Sequence, residues 1–187
     1  MIAVPIESLV RSLTEEFERE KPSGRKIADL LSEYAASSDD WRSYALTSPR
    51  CYTRNLVELN DRYELLVLCW DTSQCSPVHN HEGQDCWMAV LEGPIEELHY
   101  EMPNGEGPLA CGPVRRFETG QVAYISDDIA LHLVRAGESA PAVSLHLYSK
   151  PYAECNCYCE QTGKVTRKRL SYYSVNGVLT GDSECPE

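Results

Sequence analysis

The chain is short of basic residues and of long apolar runs. It has 17 Lys and Arg against 29 Asp and Glu, which gives a formal net charge of −12 at pH 7. Nucleic acids and anionic membrane surfaces attract proteins through basic patches, so this balance argues against both as partners. No apolar run approaches the ~18 residues that a membrane-spanning helix needs. The sequence therefore predicts no nucleic-acid and no membrane binding.

Signs of secretion and of a second domain are also missing. The N-terminus is amphipathic and acidic, with Glu7, Glu15, Glu16 and Glu18, unlike a signal or transit peptide. The chain has 9 Cys, and without such a signal they indicate a reducing compartment with mostly free thiols. We therefore expect a cytoplasmic protein. With 187 residues and no internal repeat or linker, we expect a single domain, 1–187, that acts as a monomer.

Hydrophobic periodicity divides this domain into a helical part, 1–47, and a strand-rich part, 51–174. Apolar residues at helical spacing predict amphipathic helices over 5–20 and 26–37, with a short third helix after Ser38. From Cys51 onward the apolar period changes to two, and turn residues separate short strands. Further strands are predicted at 63–70, 86–92, 95–102, 109–111, 114–118, 122–126, 131–135, 142–149, 155–160 and 164–174.

Strands this short and this regularly separated indicate a β-sandwich or barrel, with the helices packed on its outside. The tail, 177–187, is polar, and we expect it to be loosely held.

Histidine spacing is the main indication of function. The chain has only five histidines, which are His79, His81, His99, His132 and His146. In an extended strand, residues two apart point to the same face, so His79 and His81 would present two imidazoles to one point. Neutral imidazole is the commonest metal ligand, but two of them hold a metal weakly. A third ligand has to come from elsewhere in the chain.

Ordinary alternatives exist for these histidines. Two histidines in a polar loop are often only solvated side chains. His132 lies between two leucines, and a histidine in such a place is more often a satisfied core or surface residue.

A polar ladder occupies one face of the predicted strand 142–149, which reads AVSLHLYS. One set of alternate positions is apolar, and the other set carries Ser144, His146 and Tyr148. Such a face is either solvated or, inside a barrel that holds a metal, a relay of hydrogen bonds. Cys155, Cys157 and Cys159 also alternate, which predicts one shared strand face. Because they contain no Cys-x-x-Cys pair, we interpret them as structural or incidental.

Four separated stretches resemble the cysteine dioxygenase family of the cupin superfamily. They read CYTRNLVELNDRYELLVLCW, CSPVHNHEGQDCWMAVLEG, AYISDDIALHLV and PAVSLHLYSKP. In the first cupin motif, a His-x-His is followed by a further ligand, usually Glu, and by a Gly. Here Cys86 takes the ligand position and Gly93 closes the motif. The resemblance implies a mainly β fold, a cupin-type jelly-roll β-barrel with amphipathic N-terminal helices.

The resemblance also implies the metal and the substrate contacts. His79, His81 and His132 would bind ferrous iron, Fe(II), as a three-histidine facial set. Arg54, helped by Tyr52, would bind the substrate carboxylate, for which a planar guanidinium is suited. The alternative for Arg54 is an ordinary surface salt bridge. The partners so implied are L-cysteine and O2.

The remaining implied roles concern the polar ladder and two cysteines. Tyr148, held by His146 and Ser144, would face the bound substrate as part of the catalytic group. Cys86 would form a thioether cross-link with Tyr148, and Cys155 would lie near the mouth of the pocket.

The implied reaction is iron-dependent oxidation of L-cysteine by O2 to L-cysteine sulfinic acid, with the sulfur and amine of the substrate on the iron. This reaction belongs to cysteine catabolism and taurine biosynthesis. Two alternatives stay open. One is a dioxygenase for another small thiol, such as 3-mercaptopropionate or cysteamine, and the other is a metal-binding cupin without turnover. Lys150 departs from the family, which has Pro there, so the sequence leaves open whether that peptide bond is cis.

Overall fold

Two helices and one 3-10 helix precede the strands in a computed structural model that describes residues 3–105 and 107–181. They are α1 (Ile6–Phe17), α2 (Gly24–Ser37) and a 3-10 helix, Asp40–Tyr44. Ser23 caps α2, because its side chain accepts a hydrogen bond from the Lys26 amide at 3.3 Å. The first two predicted helices are confirmed, and the third is a 3-10 turn. None of the helices in these two ranges is long and apolar enough to cross a membrane.

Short strands make up most of the rest of the described chain. They are β1 (Thr53–Leu59), β2 (Glu64–Trp70), β3 (Val78–His79), β4 (Asp85–Glu92), β5 (Ile95–Tyr100), β6 (Arg115–Phe117), β7 (Val122–Ile125), β8 (Leu131–Ala136), β9 (Ala142–Ser149), β10 (Glu154–Tyr158), β11 (Val165–Arg169), β12 (Ser174–Val175) and β13 (Val178–Leu179).

These strands form two sheets that enclose an interior. The larger sheet has the order β13-β12-β1-β2-β9-β4-β7, and the smaller has the order β11-β10-β3-β8-β5-β6. Neighbouring strands are antiparallel, except that β1 and β12 are parallel. Residues of both sheets share one apolar cluster in the interior. The predicted fold class, a cupin-type jelly-roll barrel, is confirmed.

The middle of the larger sheet is buried on both faces at β2, which explains why β2 is a continuous apolar run instead of an alternating one. Leu65 and Val67 point outward and pack in one cluster with Leu13 of α1. Leu66 and Leu68 point inward and join the interior cluster. Burying a leucine side chain stabilises the fold by about 1.5–3 kcal/mol. The helices therefore cover what would be an exposed apolar face.

The structure departs from the predicted strands near the C-terminus. The predicted strand 164–174 is divided into β11 and β12, because β11 pairs in the smaller sheet and β12 crosses to the larger one. The predicted strand 109–111 contributes only an isolated bridge between Tyr100 and Cys111. The predicted tail begins with β13, which pairs with β12, and its residues 182–187 lie outside the described residues.

Candidate metal centre and its cavity

Three imidazoles meet inside the barrel. His79 ends β3, His81 follows two residues later, and His132 lies in β8. One ligand nitrogen from each ring lies within 4.8 Å of the other two. The Nε2 atoms of His79 and His132 are 3.2 Å apart, and the ring centroids are separated by 4.6 to 5.2 Å. Nitrogen ligands about 2.0–2.1 Å from one metal ion have separations of this size.

Strand register brings the distant histidine to the first two. β3 and β8 are antiparallel, and His79 lies directly opposite His132. The prediction that His79 and His81 share one strand is wrong for His81, because β3 stops at His79. Instead, Asp127 fixes the loop. Its carboxylate accepts hydrogen bonds from the His81 amide at 2.6 Å and from the Gly83 amide at 2.8 Å. Although burial raises the pKa of Asp127, the His81 ring, whose Nδ1 is 3.7 Å from Oδ1, and the two amide hydrogen bonds lower it to about 2.

Acceptors behind two of the rings decide which nitrogen faces inward. Nδ1 of His132 lies 2.8 Å from Oε1 of Glu97, and Nδ1 of His79 lies 2.9 Å from the carbonyl oxygen of Pro77. A carboxylate and a carbonyl accept hydrogen bonds, so each Nδ1 carries the proton and donates it. Both Nε2 atoms therefore keep a free lone pair on the side of the cluster. This is the arrangement that usually supports metal-binding histidines.

The cluster fits a divalent cation. Burial, together with the neighbouring imidazoles, lowers the pKa of His79 to about 3 and that of His132 well below 6.5, so the rings are neutral at pH 7. Both ring nitrogens of His81 are buried without a hydrogen-bond partner among the described residues. Leaving such groups unpaired costs about 1–3 kcal/mol each, and a bound metal would relieve this cost at the one nitrogen that it coordinates.

A small cavity, partly open to solvent, adjoins the cluster. Arg54 lies in its wall and is 5 % exposed. Its Nε and NH2 nitrogens have no hydrogen-bond partner in the described part of the chain, since Oε1 of Glu64 is 3.6 Å away. Tyr52 lines the same cavity and stacks on Trp70 with ring centroids 4.7 Å apart. Because Arg54 is buried, the alternative interpretation, an ordinary surface salt bridge, is wrong.

The polar ladder of β9 faces the interior and forms a relay. The Trp70 indole donates to Oγ of Ser144 at 2.9 Å, and Oγ of Ser144 lies 3.0 Å from Nε2 of His146. Nδ1 of His146 is 3.1 Å from the hydroxyl of Tyr148. All three ladder residues are buried, so the solvated alternative is wrong. Burial keeps the pKa of His146 well below 6.5, which makes the imidazole neutral.

Cys86 and Tyr148 are cross-strand neighbours. They lie directly opposite each other in the β4–β9 pairing, and both are buried. Such pairs have Cβ atoms about 4.5–5.5 Å apart. The peptide bond between Ser149 and Lys150, which the sequence left open, is cis.

The structure separates the three alternating cysteines. Cys155 and Cys157 lie in β10 and line the cavity. Cys159 lies beyond the end of β10 and is exposed, so the prediction of one shared strand face is wrong for it.

Sequence reasoning missed several residues around the centre. They are Glu64, Trp70, Glu97, Asp127 and Tyr152. A signal existed for Glu97, which is in phase with the buried Ile95 in β5 and so falls on the inward face. An acidic residue at an inward strand position needs a partner. No comparable pattern marked Asp127, which acts from a loop.

Comparison with known proteins agrees with this site. The family described as "Cysteine dioxygenase type I" matches residues 2–161. "Cysteine dioxygenase type 1" of Danio rerio is 30% identical over 179 residues, 94% of this chain and 89% of that protein. The Rattus norvegicus protein of the same name is 31% identical over 175 residues, 92% and 88% of the two chains. The Homo sapiens protein is 30% identical with the same coverage.

A solved structure from Klebsiella pneumoniae, described as having a double-stranded beta-helix domain, is also similar. It has a TM-score of 0.49 and 14% identity, over 71% of this chain and 89% of that one. This likeness is too low to add to the fold assignment, which rests on the strand order.

Proposed function

The chain belongs to the cysteine dioxygenase type I family, and on that premise we propose that it oxidises L-cysteine with O2 to L-cysteine sulfinic acid, using Fe(II). One observation carries the proposal. Two of the three clustered imidazoles, those of His79 and His132, border one cavity with the buried guanidinium of Arg54, whose Nε and NH2 have no hydrogen-bond partner among the described residues. The first group suits a divalent metal, and the second suits the carboxylate of a small substrate.

His79, His81 and His132 would hold the metal. When bound there, ferrous iron with three neutral imidazole ligands would keep its full double positive charge, which favours a thiolate ligand, and it would supply the redox chemistry with O2. Imidazole ligands also suit Zn, Cu and Ni. The choice of iron therefore comes from family membership, and a metal analysis of the purified protein tests it.

Arg54 would bind and orient the substrate through its carboxylate. Oε1 of Glu64, 3.6 Å from NH2, supplies a counter-charge but no acceptor within hydrogen-bond distance, so Nε and NH2 of Arg54 can still donate to an anion. A carboxylate can accept two parallel hydrogen bonds from the planar group. Tyr52 would help, because its stacking on Trp70 fixes its ring beside the cavity. Cysteamine lacks a carboxylate and would leave Arg54 unpaired.

Tyr148 would donate a hydrogen bond to the substrate. Burial raises the pKa of Tyr148 well above 10, so its hydroxyl keeps its proton at neutral pH. Its ring lies above the guanidinium of Arg54, 5.8 Å from ring centroid to Cζ, and 6.1 Å from the ring of His81. His146 can donate its Nδ1 proton to the Tyr148 oxygen, with Ser144 donating to Nε2. The Tyr148 proton is then free to point at substrate sulfur or oxygen.

Cys86 would fix Tyr148 further through a thioether. Formation of this bond joins sulfur to a ring carbon and removes two hydrogens, with O2 as the oxidant. The directly opposed positions of the two residues support the proposal.

The direct test is anaerobic loading with Fe(II), followed by addition of thiol and O2. We expect equal consumption of L-cysteine and O2 and formation of the sulfinic acid. 3-Mercaptopropionate, which keeps the carboxylate and lacks the amine, should react more slowly, and cysteamine more slowly still. If L-cysteine gives neither sulfinate nor oxygen uptake with an iron-loaded protein, the proposal is refuted. If 3-mercaptopropionate reacts faster than L-cysteine, the proposed substrate is wrong, but the proposed reaction, oxidation of a thiol by O2, still holds.

An Arg54→Ala variant tests the carboxylate contact separately. Truncating one partner of a buried charge pair costs about 2–5 kcal/mol, or roughly thirtyfold to several thousandfold in kcat/KM. Metal content should stay unchanged, because Arg54 would bind substrate and not metal. Arg50→Ala is the matched control, since Arg50 is exposed near the start of β1. Equal loss of metal and activity in Arg54→Ala would contradict the assigned role.

A further inference from the structure

Two cysteine thiols lie side by side in the wall of the cavity. The Sγ atoms of Cys155 and Cys157 are 3.9 Å apart. The two side chains are 2% and 6% exposed, and both line the cavity beside the metal centre. Neither has a part in the proposed reaction. Cys159, the third cysteine of the row, points away from the pair, and its thiol donates to Oε1 of Gln161 at 3.4 Å.

The spacing of the pair allows a disulfide. A strand rises about 3.2–3.4 Å per residue, so residues two apart have Cα atoms roughly 6.5 Å apart. Disulfides span Cα separations of about 4.4–6.8 Å, which places this pair near the upper limit. β3 and β11 pair with β10 on its two sides and keep it extended. A bond formed at this limit is expected to be strained, and strained disulfides are the readily reduced ones.

We propose that Cys155 and Cys157 are a reversible redox-modification site, which a small hydroperoxide converts to an intrachain disulfide. One thiol attacks the O–O bond, becomes a sulfenic acid and releases one water from hydrogen peroxide. The second thiol displaces hydroxide from the sulfenic sulfur, which forms the S–S bond and releases a second water. Two thiols lose two electrons and two protons, and one peroxide is reduced to two waters. Two equivalents of a small thiol restore the dithiol.

Closure of the disulfide would act on the metal centre through strand pairing. Cys157 lies directly opposite His79, and the β10–β3 contact has only one other register pair, Tyr158 with Val78. Drawing the two sulfurs from 3.9 Å to bonding distance, with Cα atoms near the upper limit of separation, would strain β10 beside His79. The oxidised protein should therefore hold its metal less firmly. This consequence rests on the proposed metal site, whereas formation of the disulfide does not.

The site is tested on the full chain loaded with zinc, which has no redox chemistry of its own. The protein is treated with hydrogen peroxide, quenched with catalase, and alkylated with iodoacetamide under denaturing conditions. It is then reduced and labelled with N-ethylmaleimide. Cleavage after glutamate releases the peptide 155–160, which contains all three cysteines.

We expect N-ethylmaleimide on Cys155 and Cys157, iodoacetamide on Cys159, and an intact mass lower by two hydrogens before reduction. Cys159→Ser is the matched control and should form the same disulfide, whereas Cys157→Ser should not. Iodoacetamide on both Cys155 and Cys157, N-ethylmaleimide on Cys159, or irreversible oxidation of single thiols would each overturn the proposal.

Zinc release, followed with a chromogenic chelator, tests the coupling to His79. Peroxide should speed release several-fold in the wild type and in Cys159→Ser, and a small thiol should reverse the effect. Cys157→Ser should show no change. A disulfide that forms without faster release would refute the coupling. Because no step uses O2 or substrate, these results are independent of the dioxygenase assay.

Discussion

Replacing Glu97 with Gln should weaken metal binding while leaving the barrel folded. Glu97 is buried in β5, and its Oε1 accepts a hydrogen bond from Nδ1 of His132 at 2.8 Å. The carboxylate holds the ring in the tautomer that presents Nε2 to the metal, and its charge makes that nitrogen a better donor. A neutral amide oxygen can still accept the hydrogen bond but lacks the charge.

The expected size follows from this contact. Loss of a partner behind a metal ligand usually costs roughly 10–100-fold in metal affinity, or about 1.4–2.7 kcal/mol. The loss of metal affinity in Glu97→Gln should be near the lower end of this range because the amide keeps the hydrogen bond. Glu97→Ala, which removes both the bond and the charge, should lie near the higher one. Oε2 of Glu97 also lies 3.1 Å from Nε2 of His99, so either variant disturbs one further buried group.

Anaerobic competition of Fe(II) or zinc against a chromogenic chelator measures the affinity, and circular dichroism checks the fold. Glu96→Gln is the control, because Glu96 directly precedes Glu97 in β5 and its carboxylate pairs with Arg135 at 2.8 Å. That variant should bind metal like the wild type. If folded Glu97→Gln also binds metal within about twofold of wild type, the support assigned to Glu97 is incorrect.

Three further outcomes are expected. Oxygen-treated wild type should yield a cross-linked peptide by mass spectrometry and Cys86→Ser should not, and finding no cross-link in wild type would contradict the thioether. Leu145→Ala should lower the free energy of unfolding in urea by about 2–5 kcal/mol, whereas Val165→Ala, at an exposed position, should change it by less than about 0.5 kcal/mol. Burial lowers the pKa of His146 below its usual 6.5, so below that pH the unfolded chain binds a proton that the folded state does not. Metal-free protein should therefore lose up to about 1.4 kcal/mol per pH unit for this group as the pH falls below 6.5, and urea unfolding of His146→Gln should show a smaller loss.

Local rules predicted much of this molecule. The period of the apolar residues predicted both helices and most strands, because burial of one face imposes that period on the sequence. The ladder of Ser144, His146 and Tyr148 was visible for the same reason, since alternate residues of a strand share a face. The likeness of four short stretches to one family then suggested where the distant His132 belongs.

The sequence by itself determined the His-x-His pair, the ladder and the strand pattern, since each depends on residues close together in the chain, whereas His132 was proposed as a ligand only from the family resemblance. Only the tertiary structure decided which other side chains contact and orient these groups. Glu97, Asp127 and Trp70 contact the site from other strands and loops. The residues next to each of them in the sequence do not indicate which side chain it will contact. The division of 164–174 between two sheets and the placing of Cys155 and Cys157 in the cavity wall likewise depend on strand pairing. Pairing is set by the packing of the whole barrel, so no local window of sequence contains it.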